Sequence, residues 1–162
     1  MRSALVVAGL VLVLAIPNAS IVGKERLLAD GTSVLLELAP VDPRSLIQGD
    51  YMRLDYAITR QIADSQLVWP RTGQIVVVLD EHGVARFVRR HVSGTPPRAG
   101  EHLLTYRRRG RRIRVGSDAF HFQEGHAGRY QVARYGELRV SRSGTSVLVG
   151  LRDGTRQVLG RQ

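Results

Sequence analysis

Carboxylate, guanidinium and phenol groups crowd into one short stretch of this chain: Asp42, Arg44, Asp50 and Tyr51 fall within ten residues. Such a mixture suits ionic recognition of a partner or ligand. The same residues also serve a structural reading. Arg44 can close on Asp42 or Asp50 as a bidentate ion pair, while Asp50 accepts hydrogen bonds from backbone N–H groups just downstream. The run Gly49-Asp50-Tyr51-Met52-Arg53-Leu54-Asp55-Tyr56 reads as a tight turn entering a strand. Its alternation puts Tyr51, Arg53 and Asp55 on one face and Met52, Leu54 and Tyr56 on the other. Tyr56 and Glu124 complete the set of candidate binding residues.

Three catalytic chemistries find little footing. Ser45 ahead of Gly49-Asp50 resembles the neighbourhood of a membrane-bound signal peptidase serine. Such an enzyme needs a desolvated lysine downstream as its base, and the single lysine, Lys24, lies upstream. Metal binding through His121 with Glu124, or through His82, His91, His102 and His126, lacks a ligand spacing; His121 and Glu124 would share a face only on a helix. The chain has no cysteine, and no Gly-rich phosphate loop leads into a helix. No cofactor is expected. An enzymatic reading has to rest on carboxylates such as Asp50 and Glu124.

The elements that position these residues begin with an apolar segment. Ser3 to Gly23 carries no charge and as a helix would span roughly 31 Å, the thickness of a hydrocarbon core. It is expected to cross a membrane once as an uncleaved anchor, 1–23; cleavage near Pro17-Asn18-Ala19-Ser20 is the rival. Lys24 to Ala29 can prolong the helix, and Asp30-Gly31 ends it. Residues 24–162 then form one domain.

Strands are expected at Ser33–Leu38, Gln74–Leu79, Val84–Arg90, His102–Arg107, Arg112–Gly116, Gly136–Val140 and Ser146–Leu151. Turns punctuate them at Asp80–Gly83, Arg108–Arg111 and Ser141–Gly144, and Val41–Gln48 reads as a loop. Tyr56 to Leu67 has both helical and extended features, and Gln123 to Tyr135 has room for a short helix. This pattern specifies a mainly β fold: an antiparallel sandwich or partly open barrel with one or two short helices.

The net charge is +10, and it is uneven. Between Arg86 and Arg114 arginine recurs with Glu101 as the single carboxylate. That stretch suits an anion. Anionic lipid headgroups fit better than nucleic acid, because a tethered domain already lies near the bilayer and the stretch lacks interleaved stacking aromatics.

The pattern G-D-Y-x-x-L-x-Y at Gly49–Tyr56 resembles the signature of the GDYXXLXY family, small bacterial membrane-anchored proteins. Further segments share the likeness: the Asp42-Pro43-Arg44-Ser45-Leu46 loop, Phe120–Gly125, and Ala133–Val140. The resemblance implies an anchor and a compact domain, and no particular activity. With the residues, it leads to an accessory or binding module of the inner membrane. The domain is expected on the periplasmic side, non-catalytic, with an integral membrane protein as partner. An envelope-acting enzyme and a purely structural envelope protein stay open as alternatives.

Overall fold

A computed structural model describes residues 2–39, 47–48, 51–64, 68–110 and 112–160, with the side chains of 2–12, 16–17 and 47–48 outside the description. Helix α1 (Arg2–Asp30) is 29 residues long, about 43 Å at the usual rise. It passes through Lys24 and stops at Asp30-Gly31, where the Gly31 N–H donates to Leu27 O at 3.0 Å. A Cβ on Gly31 would sit 2.3 Å from that same oxygen, so glycine is what lets the chain turn there. Among the described residues no helix is long and apolar enough to cross a membrane. The crossing expected for Ser3 to Gly23 falls largely on side chains outside the description.

Eleven strands and two short helices follow among the described residues: β1 (Thr32–Glu37), β2 (Ile47–Gln48), β3 (Tyr51–Arg53), α2 (Ala57–Asp64), β4 (Thr72–Leu79), β5 (Ala85–Arg90), β6 (Glu101–Arg109), β7 (Arg112–Val115), β8 (Ala119–His121), α3 (Ala127–Tyr130), β9 (Tyr135–Val140), β10 (Ser146–Arg152) and β11 (Val158–Leu159). They form three sheets, ordered β1-β9-β10-β11, β2-β3-β8 and β5-β4-β6-β7. Every strand pair is antiparallel. The fold is therefore mainly β with few short helices.

Local chemistry explains the hairpins. Asp80 Oδ1 accepts from the N–H groups of His82 and Val84 at 3.0 and 2.9 Å, folding the β4–β5 turn around one carboxylate. In the β6–β7 hairpin Arg109 pairs with Arg112, so β6 runs two residues into the Arg108–Arg111 turn expected for it, while β7 begins at Arg112 as expected. Ile113 and Val115 do face the core. Ile47-Gln48, expected within a loop, pairs instead with Met52 and Tyr51; a two-residue strand has no periodicity to announce it. The segment after Tyr56 resolves as helix α2, burying Ile58 and Ile62 one turn apart.

One hydrophobic cluster draws on all three sheets, including Val34, Leu36, Met52, Leu54, Ile75, Leu104 and Leu138. Two seams join the sheets around it. Leu35 bridges Val84 in parallel, with its N–H on Gly83 O at 2.9 Å. The β9–β10 turn docks on the β4–β6 sheet, where Thr105 N donates to Gly144 O at 2.9 Å.

Tyr56 lies beneath Gly136 of β9: a Cβ there would come 3.0 Å from Tyr56 Cε1 and 3.3 Å from Leu148 Cδ1. Gly136→Ala should destabilise the domain by about 1–3 kcal/mol through overpacking, although alanine alone would favour an ordinary strand interior. Chemical denaturation checks it, and an unchanged or higher midpoint would refute the close packing.

Candidate functional site

Strand β3 decides where the candidates point. Tyr51 stands opposite His121 and Met52 opposite Phe120 across β3 and β8, so alternation sends the Tyr51–His121 pair outward and the Met52–Phe120 pair toward the core. Outside, the Tyr51 and His121 rings lie 5.8 Å apart at 35°. His121 and Arg53 are exposed, and Tyr51 is half-buried. Glu124 lies in the exposed turn that follows, closed by His126 N–H on Gln123 O at 3.1 Å. His121 and Glu124 are thus separated by strand end and turn, and no helical face unites them. Among the described residues no three His, Asp or Glu side chains gather as a metal site.

Asp42, Arg44 and Asp50 lie outside the described residues. Tyr56 goes the other way from Tyr51. Its side chain is 2% exposed and its hydroxyl has no hydrogen-bond partner among the described residues. Burial, with the Asp118 charge adding to it, pushes that phenol well above its ordinary pKa, so it stays neutral. Leu54 and Tyr56, the last fixed positions of the motif, are core residues. Tyr51 and Glu124 are the described candidates that reach the surface.

Beside the small sheet lies a cavity of about 520 Å³ that no local sequence pattern announces. Phe120 and Tyr130 line it, their rings 5.1 Å apart and edge-on. Phe122 stacks on Tyr130 at 5.0 Å. Leu28 of α1 and the charged trio Glu137, Arg139 and Arg152 also face it. Glu137 accepts from Arg152 Nε and Ser33 Oγ, both at 2.9 Å. The Arg152 bond is the main cause, ahead of Ser33, that holds its carboxyl below the usual range against the cost of burial. Arg139 Nη1 donates to Gly31 O at 3.1 Å and so ties β9 to the end of α1. The available signal was Glu137 and Arg139 at i and i+2 in a strand; their partners lie far off in sequence.

These features define a helix-tethered, mainly β domain whose motif residues divide between core and surface. The chain belongs to the GDYXXLXY family: the family model, described as GDYXXLXY protein, matches residues 13–151. Neither a curated protein nor a solved structure matches it.

Because the Tyr56 hydroxyl is buried without a described partner, Tyr56→Phe should leave stability unchanged or raise it, whereas Tyr56→Ala should cost about 3–5 kcal/mol. A loss above roughly 1 kcal/mol in Tyr56→Phe would mean that the hydroxyl is hydrogen-bonded. The lowered pKa of Glu137 gives a signed pH effect. Its stabilisation is fully present above the unfolded glutamate value, about 4.3, and is lost as pH falls through the lower folded value. Glu137→Gln should therefore flatten the acid limb of a denaturation-midpoint profile; an unaltered limb would remove Glu137 from that role.

Proposed function

We propose that the protein is a membrane-anchored, non-catalytic binding module of the bacterial inner membrane, with its domain on the periplasmic side and an integral membrane protein as partner. The observation that carries this reading is the shaft of α1. Every described side chain from Val13 to Arg26 is exposed, and Val13, Leu14, Ile21 and Val22 are large apolar groups without cover from the domain. The helix shows no one-sided apolar stripe of the kind that lies on a globular surface. An apolar helix standing clear of its own domain needs an apolar surrounding, and the uncharged run Ser3–Gly23 has the length for a bilayer.

Support for a non-catalytic role comes from the carboxylates. The described ones with a shifted pKa are Asp80, Glu101, Glu137 and Asp153, and all four shift down. Turn N–H groups hold Asp80, Arg89 holds Glu101, Arg152 holds Glu137 and Thr155 holds Asp153. A general acid needs the opposite shift. The surface offered to a partner is the outer face of the motif hairpin, β2 with β3, and of the neighbouring β8, with Tyr51, His121 and Glu124.

Three measurements bear on the three parts of this proposal. Alkaline carbonate should leave the full chain in the membrane pellet; release into the supernatant would end the anchor. A photo-crosslinking residue in place of Tyr51 should capture a discrete integral membrane protein in intact cells, and a blank at matched abundance would remove the partner. A reporter active only in the cytoplasm, fused after Gln162, should stay silent; activity would reverse the orientation.

A further inference from the structure

The outer face of the β6–β7 hairpin carries an unusual arrangement of like charges. Arg107 stands directly opposite Arg114, and Arg109 opposite Arg112. Alternation places all four on the face away from Tyr106, Ile113 and Val115, which are buried. Like charges directly opposite in an antiparallel pair are destabilising, and this hairpin has two such pairs in succession. Internal neutralisation is slight. Asp118 pairs with Arg114, and no described carboxylate pairs with Arg107, Arg109 or Arg112. Glu101, the lone acid of the basic stretch, is taken up by Arg89 through two bonds of 2.7 and 3.0 Å and by the Arg98 N–H at 2.8 Å.

The face is also concave and equipped with hydroxyls. A cleft of about 410 Å³ is lined by Arg107, Arg109, Arg114, Thr105, Thr145 and Ser146, and by Asp118, whose carboxylate is committed to Arg114. Planar guanidinium groups beside hydroxyl donors are the chemistry of phosphate recognition. Its place in the fold matters as much. Ser146 pairs with Val140, and Val140 with Thr32, which follows the end of α1 by a single residue. Two strand spacings, about 10 Å, separate the cleft's rim from the root of the helix.

We infer that the Arg107, Arg109, Arg112 and Arg114 face is a phosphate-headgroup site that rests on the anionic surface of the bilayer α1 enters. This assignment rests on the anchored reading proposed above. It explains why the fold retains two opposed arginine pairs: the counter-charge is supplied by the lipid. It also gives the domain a preferred side toward the membrane, leaving the motif hairpin to face a partner.

The test uses the full chain reconstituted into vesicles of neutral phosphatidylcholine alone or with phosphatidylglycerol, at low salt. Phenylglyoxal modification is mapped by mass spectrometry, and flotation is scored in parallel. The expected result is flotation with both vesicles and a several-fold slower modification of Arg107, Arg109, Arg112 and Arg114 on the anionic ones. That protection should vanish in 1 M salt, where the screening length falls to about 3 Å. In the R107Q/R109Q/R112Q variant the remaining Arg114 should lose its lipid-dependent protection. A chain that floats with both vesicles yet reacts equally in them overturns the headgroup face and leaves the anchor intact. Failure to float with neutral vesicles overturns the anchor, and the bilayer as occupant with it. Equal protection by inorganic phosphate over neutral vesicles would make the cleft a site for the free ion and overturn the bilayer assignment.

Discussion

The stretch from Tyr51 to Tyr56 ties separate sheets into one body, and the rest of the fold depends on that tie. Tyr51, Met52 and Arg53 pair with β8. Leu54 N–H then reaches Asp118 O at 2.8 Å, and Asp55 O accepts from Ala39 N–H at 2.7 Å. Tyr56 bridges Leu38 beyond β1, and its carbonyl accepts from the N–H and hydroxyl of Thr59 at 3.0 and 2.7 Å as α2 begins. Six residues thus engage the chain after β7, the chain after β1, strand β8 and a helix. Side chains of alternate residues, Met52, Leu54 and Tyr56, enter the core at the same crossing. A motif of this kind is held by geometry, with its inward residues fixed by the core and its outward ones at the surface.

The inward face of that motif was legible in the sequence because alternation in a half-buried strand is a local signal. The same holds for the β4–β5 hairpin, where Asp80 and Gly83 announce the turn, and for Ile113 and Val115 in β7. Other features needed partners that sequence spacing does not reveal. Ile47-Gln48 becomes a strand because Tyr51 and Met52 are there to bond it, and Val158-Leu159 because β10 offers an edge. For the candidate site the limit was similar. Alternation separates Tyr51 from Tyr56, but it does not tell how deeply Tyr56 is buried, and at 2% exposure it is a core residue and offers nothing to a ligand. Glu137 meets Arg152 and Ser33 across sequence separations of 15 and 104, so its clamp was invisible.

Electrostatics divides the domain into satisfied and unsatisfied parts. Acids near the core and in turns are committed to structure: Glu137 to Arg152, Glu101 to Arg89, Asp153 to the N–H groups of Thr155 and Gln157. With 14 acidic against 24 basic residues, this commitment leaves excess positive charge on arginine-rich strands, where opposed pairing concentrates it. The basic character is therefore a local property of one hairpin as much as a property of the composition.

The single residue between α1 and β1 has a mechanical consequence. Gly31 is bonded on both sides, its N–H to Leu27 and its carbonyl to Arg139, so the end of the helix is fastened to the middle strand of a sheet without slack. A flexible linker would let the domain wander independently of its helix. Here a 20° change in helix tilt would swing the far side of a domain roughly 35 Å across by about 12 Å. The helix end and the sheet behave as lever and load, and the direction in which the motif hairpin points follows from the angle at which α1 is held.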